Sequence, residues 1–108
     1  GVTRTDLFTE EQNQLADLAR VLGHPARIAI LQHLLGANTC INSDLVQELG
    51  LAQATISQHL KELKSSGLIK GSVEGTRMCY CIDAARWQEV QQRMQTLFDR
   101  LPESGECC

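Results

Sequence analysis

The five cysteines of this chain, at positions 40, 79, 81, 107 and 108, are the residues whose type and spacing best suit chemistry. Thiolates select soft ions, and thiols in pairs can be oxidised. The spacing argues against a simple disulfide framework. Cys107 and Cys108 are neighbours, with Cα atoms about 3.8 Å apart, at or below the short end of the range that disulfides occupy. Cys79 and Cys81 are two residues apart in an alternating stretch, so on a strand they share a face at about 6.5 Å with parallel Cβ vectors. That is poor disulfide geometry. Two readings stay open for the pair: a dithiol clamp, or two small half-buried strand residues. For the tail pair the readings are a frayed end, a partner for a cysteine elsewhere, or a soft-ion clamp. Nitrogen and oxygen donors are sparser, with His24, His33 and His59 the only histidines. Each is read as a capping, surface or partner-contacting residue.

The elements that must position these thiols can be read from the rest of the chain. At 108 residues, 43% hydrophobic and 21% charged, the composition is that of an ordinary globular protein. One domain over residues 1–108 is expected. No stretch reads as a signal peptide or membrane span, so a cytoplasmic setting, where thiols stay reduced, is expected. The net charge of −3 excludes a protein that is basic throughout. Residues 51–77 nevertheless carry Lys61, Lys64, Lys70 and Arg77 against only Glu62 and Glu74. A locally positive strip on an acidic body is compatible with a polyanionic partner.

Thr9 followed by Gln12 predicts a capping box and a helix with Leu15, Leu18, Ala19 and Leu22 on its apolar side. Pro25 suits the first turn of a second helix, with Ile28, Leu31, Leu34 and Leu35 on one face and Gly36 as its stop. A short third helix is expected from Asn42 as N-cap to Gly50, with Ile41 and Val46 as a hydrophobic staple. A fourth runs over about 53–66, with Ile56, Leu60 and Leu63 inward and Gly67 as its stop. The period then changes to two. Residues 68–74 and 77–83 alternate around Gly75 and predict a hairpin. Asp83 caps a last helix bearing Trp87, Val90, Met94, Leu97, Phe98 and Leu101 until Pro102. The order is α-α-α-α-β-β-α, mainly helical with a β-hairpin wing, a winged helix-turn-helix with a flexible tail over 102–108.

On the fourth helix, Gln53, Thr55, Ser57, Gln58, His59 and Lys61 lie off the expected buried face. Glutamine, serine and threonine can hydrogen-bond base edges in a major groove, while Lys61, Lys64 and Arg77 suit phosphates. The alternative is a plain solvated face, but short polar side chains replace the usual glutamate–lysine mixture.

"LARVLGHPARIAILQHLL", "LVQELGLAQATISQHLKELKSSGLIKG" and "EGTRMCYCID" resemble the ArsR/SmtB family of bacterial winged-helix repressors. The resemblance implies a homodimer that occupies operator DNA and leaves it when an inducer, often a metal or metalloid, binds. The apolar stripes of the first and last helices fit such a dimer, which would present two recognition helices to half-sites roughly one DNA turn apart. Three departures stand out. Ala52 occupies the N-cap position of the recognition helix where many relatives have serine. Arsenic repressors of the family often carry Cys-x-Cys-Asp-Leu ahead of the third helix, whereas this chain reads Cys40-Ile41-Asn42-Ser43-Asp44-Leu45. The last helix has no histidine, so the histidine–carboxylate zinc or cobalt site that many relatives place there is not expected.

Some family members combine a cysteine pair near a chain end with a third cysteine elsewhere. That resemblance motivates a three-thiolate site of Cys40, Cys107 and Cys108 for As(III) or Sb(III), with Cys79 and Cys81 in reserve. Another soft metal ion is the variant of this reading, and no cofactor is required. The competing reading is a repressor that senses oxidants or persulfide through a cysteine pair. With no Cys-x-x-Cys and no nucleophile–base pair, an enzyme is not expected. A winged helix that binds only proteins would lack salt-dependent DNA affinity.

Overall fold

The computed structural model describes residues 5–37, 40–42, 44–75 and 77–105. Its elements are α1 (Glu10–Leu22), α2 (Pro25–Leu35), α3 (Asp44–Leu49), α4 (Gln53–Ser65), β1 (Ile69–Glu74), β2 (Arg77–Ile82) and α5 (Ala84–Phe98), the order expected. A 3-10 turn at Thr5–Leu7, which no sequence signal marked, precedes α1.

Local chemistry sets most of the boundaries. Thr9 Oγ1 accepts from the Gln12 amide and Gln12 Oε1 accepts from the Thr9 amide, both at 3.0 Å, completing the capping box. Pro25 occupies the first turn of α2, and the His24 Nδ1 accepts from the Ala26 amide at 3.1 Å as its N-cap. Asp83 Oδ1 accepts from the Arg86 amide at 3.1 Å at the start of α5. Ala52 makes no side-chain bond at the N-terminus of α4, so the orphan amides there have no side-chain cap.

Two boundaries differ from expectation. Helix α5 ends at Phe98 rather than at Pro102, because the chain tightens there: Arg100 donates to Leu97 and Leu101 to Phe98 across three residues. Helix α3 begins at Asp44, with the Leu45 amide donating to the Asn42 carbonyl at 3.2 Å. The Val46 side chain, on which the expected staple with Ile41 depends, lies outside the described residues, as does Ser43 after the expected cap Asn42.

Helix α2 is central, packing on α1, α3, α4 and β2. Leu18 and Val21 of α1, Ile30, Leu31 and Leu34 of α2, Leu45 of α3, and Ile56, Leu60 and Leu63 of α4 form one buried cluster, closed by Leu68, Ile69 and Val90. The hairpin pairs Ile69 with Ile82 through Glu74 with Arg77, turning at Gly75, whose φ of 65° favours glycine. A third segment joins it. Ile41 and Tyr80 exchange both backbone hydrogen bonds at 2.9 Å, laying the lead-in to α3 antiparallel against β2.

The radius of gyration is 16.6 Å, whereas a compact domain of this length has roughly 13 Å. Of α5 only Val90 is buried, while Leu97, Phe98 and the following Leu101 are exposed, as are Leu7 and Phe8 before α1. Between them, Leu22, Leu68, Trp87, Val90, Gln91 and Met94 line a groove of about 280 Å³. Among the described residues, no helix is long and apolar enough to cross a membrane.

Candidate nucleic-acid interface and thiol pair

Helix α4 owes its orientation to its apolar stripe. Ile56, Leu60 and Leu63 recur at helical spacing and face the cluster. At 100° per residue, Ala54, Ser57, Gln58 and Lys61 centre on the opposite side, flanked by Gln53 and Lys64 on one edge and Thr55 on the other; all seven are exposed. Ala54 was not among the polar candidates, yet its methyl group suits a thymine methyl in a major groove. The acidic member of the helix, Glu62, stands at the flank with its carboxylate 3.7 Å from the Arg20 guanidinium of α1. Lys70, exposed on β1, extends the positive strip onto the wing. The side chain of Arg77 lies outside the described residues.

One candidate is misplaced by the sequence reading. His59 was expected on the outer face, but it is buried, with only 7% of its surface accessible. It falls three residues after Ile56 and four before Leu63, so it belongs to the apolar stripe. Its Nδ1 accepts from Arg27 Nε at 3.1 Å, and its ring lies 4.3 Å from that of His24, tilted by 56°. Arg27 also donates to the Val21 carbonyl at 3.2 Å. Burial, and then the charges of His24 and Arg27, hold the His59 pKa below its ordinary value. Arg27, which sequence reasoning passed over, thus joins α1, α2 and α4. The third histidine, His33, is half-buried on α2, with Nδ1 3.8 Å from Glu48 Oε2 of α3, an ion pair when the ring is protonated.

The described cysteines are all free thiols. Cys79 and Cys81 share a face of β2, opposite Ser72 and Lys70 of β1. Cys79 is buried outside the main cluster. Cys81 is half-buried and meets Cys40, because the Ile41–Tyr80 bridge sets those two residues side by side. Burial, followed by the hydrogen bond to Cys40, raises the Cys81 thiol pKa; Asp83 adds to this and Lys70 opposes it. Cys107 and Cys108 lie outside the described residues. Among the described residues, no group of three or more histidine, cysteine, aspartate or glutamate side chains is gathered for a metal ion.

A family model described as "Bacterial regulatory protein, arsR family" matches residues 24–70, from the cap of α2 to the first residues of β1. An uncharacterized HTH-type transcriptional regulator of Methanocaldococcus jannaschii is 33% identical over 81 residues, covering 75% of this chain and 91% of that protein. The biofilm growth-associated repressor of Xylella fastidiosa is 27% identical over 97 residues, covering 90% of this chain and 83% of that one. Among solved structures, a homodimeric winged helix-turn-helix DNA-binding domain from Mycobacterium bovis superposes with a TM-score of 0.64 at 24% identity, covering 94% of this chain and 92% of that chain. At that identity the likeness concerns the fold.

Proposed function

This chain belongs to the arsR family of bacterial regulatory proteins, and from that premise we propose a repressor that binds operator DNA as a homodimer and leaves it when As(III) or Sb(III) is held by its thiolates. It is a DNA-binding transcriptional regulator and not an enzyme.

The observation that carries the DNA reading is the two-sided character of α4. Its inner side is locked into the core by Ile56, His59, Leu60 and Leu63, leaving Gln53, Thr55, Ser57 and Gln58 free to meet base edges. Lys61 and Lys64 on the helix, Lys70 on β1 and Arg77 on β2 would meet the phosphates. A second copy would cover the exposed Leu97, Phe98 and Leu101 together with the apolar groove beside α5. The homodimeric domain from Mycobacterium bovis supports this by its shared fold.

The donor chemistry suits a soft ion. Cys40 is a half-buried free thiol at the entrance to α3, and thiolates are the ligands such ions prefer. Cys107 and Cys108 would complete a three-thiolate set with it, drawing the tail onto the helix-turn-helix. Cys81, beside Cys40, and Cys79 are the reserve donors.

The test follows the anisotropy of a labelled palindromic operator duplex bound by the reduced protein while As(III) is added. Release is expected for the wild type. Cys107→Ser should retain DNA affinity and lose the response. Release of that variant at the same As(III) concentration would remove Cys107 from the site, and no release of the wild type would remove metalloid induction.

A further inference from the structure

We propose that Cys40 and Cys81 form an oxidation site, a cross-strand dithiol that a hydroperoxide closes to a disulfide, tying the lead-in of α3 to the wing. The argument starts from the backbone. Ile41 and Tyr80 exchange both N–H···O bonds, at 2.9 Å each, which makes them a hydrogen-bonded antiparallel pair. Cys40 and Cys81 flank this isolated bridge in the register where a non-hydrogen-bonded pair would stand, and in such pairs Cα atoms are about 4.5 Å apart and side chains lie closest. That separation falls inside the range disulfides adopt, whereas Cys107 and Cys108 stand at or below its short end and Cys79 and Cys81 project in parallel from one strand. The two thiols are near enough for Cys40 to perturb Cys81 electrostatically. Both are half-buried, so a small oxidant can reach them, whereas Cys79 at 4% exposure is shielded.

The chemistry balances without a cofactor. The Cys40 thiolate attacks one oxygen of the hydroperoxide, the O–O bond breaks, and water or an alcohol leaves, so that Cys40 becomes a sulfenic acid. Cys81, across the bridge from Cys40, is the resolving thiol. Its sulfur displaces the sulfenic hydroxyl as water and forms the S–S bond. The two thiols lose two electrons to the peroxide, and an added dithiol reverses the step by exchange. Neither Cys107 nor Cys108 is needed. The closed form also withdraws Cys40 from any soft ion, and this clause alone rests on the metalloid reading above.

The test is a thiol map of the full chain, independent of DNA and As(III). Reduced protein is treated with hydrogen peroxide, alkylated with a maleimide, digested and analysed by mass spectrometry. Expected are the loss of two alkylatable thiols per chain and a linked peptide pair containing Cys40 and Cys81, both reversed by dithiothreitol. The Cys107→Ser/Cys108→Ser double variant should give the same pair. In Cys81→Ser, Cys40 should accumulate as a sulfenic acid trapped by a cyclic 1,3-dione. Should that variant not fold, the wild-type map still decides. Cys40 linked to Cys107 or Cys108, or Cys40 and Cys81 both alkylated after peroxide treatment that oxidises the tail pair, would overturn the proposal.

Discussion

Arg27 of α2 donates from Nε to Nδ1 of His59 on α4 across 3.1 Å, in a partly buried setting. The bond fixes the tautomer of His59, since an Nδ1 that accepts leaves the proton on Nε2. It also sets the recognition helix against α2 through a polar contact rather than packing alone. The same guanidinium holds the end of α1 through the Val21 carbonyl.

The pairing makes stability depend on pH. Burial, His24 and Arg27 keep the His59 pKa below the ordinary 6.5, so in acid the unfolded chain binds the proton that the folded one refuses. The contribution of His59 is therefore full above about pH 6.5 and is lost as pH falls through the lower folded value. The wild-type Tm should fall between about pH 7 and pH 5. His59→Gln, whose amide oxygen can still accept from Arg27, should fall less; equal slopes would assign the acid sensitivity to other groups.

A vacant cap offers a gain. Ala52 has the extended backbone of an N-cap, with φ −63° and ψ 145°, but no side-chain acceptor for the first amides of α4. Ala52→Ser should stabilise the protein by about 1 kcal/mol in urea unfolding. The reverse change at a capped helix, Thr9→Ala in α1, should cost about as much. An unchanged midpoint in Ala52→Ser would mean that water already satisfies those amides.

The two kinds of side chain on α4 should separate in DNA titrations. Lys61→Ala is expected to lower the slope of log K against log salt by about 1 and to leave sequence discrimination unchanged. Gln58→Ala should keep the slope and lose about 1–3 kcal/mol of discrimination between operator and scrambled duplex. Anisotropy at several salt concentrations measures both.

Phe98 is 68% exposed at the end of α5, so a charge there disturbs little within the single chain. Phe98→Asp should keep its helical circular dichroism, sediment as a monomer and bind operator DNA more weakly. A dimeric Phe98→Asp protein would move the subunit contact elsewhere.

Where a signal was local, the sequence disclosed the structure. Thr9 with Gln12, Pro25, Asp83 and the glycine at 67 mark boundaries through bonds spanning a few residues, and each lies where expected. The Ile41–Tyr80 bridge joins segments far apart in sequence, and no side-chain pattern over three residues distinguishes such a pairing from a loop. Cys40 and Cys81 were consequently considered in separate groups. His59 was legible but misjudged: its place in the stripe with Ile56 and Leu63 was visible, and its polar type outweighed its position. What repays its burial is Arg27, a partner 32 residues earlier that helical periodicity cannot announce.

Gly67 has a φ of 85°, and a Cβ there would come within 3.2 Å of the Arg86 side chain. That side chain crosses the glycine and donates from Nε to the Ser66 carbonyl at 3.1 Å, while the Asp83 amide donates to the Leu68 carbonyl at 3.0 Å. The last turn of α4, the root of the wing and the first turn of α5 therefore meet at a single welded joint. A load on α5 thus has a hydrogen-bonded path to the end of α4, and a side chain at position 67 would be strained by the positive φ and would push the Arg86 side chain aside.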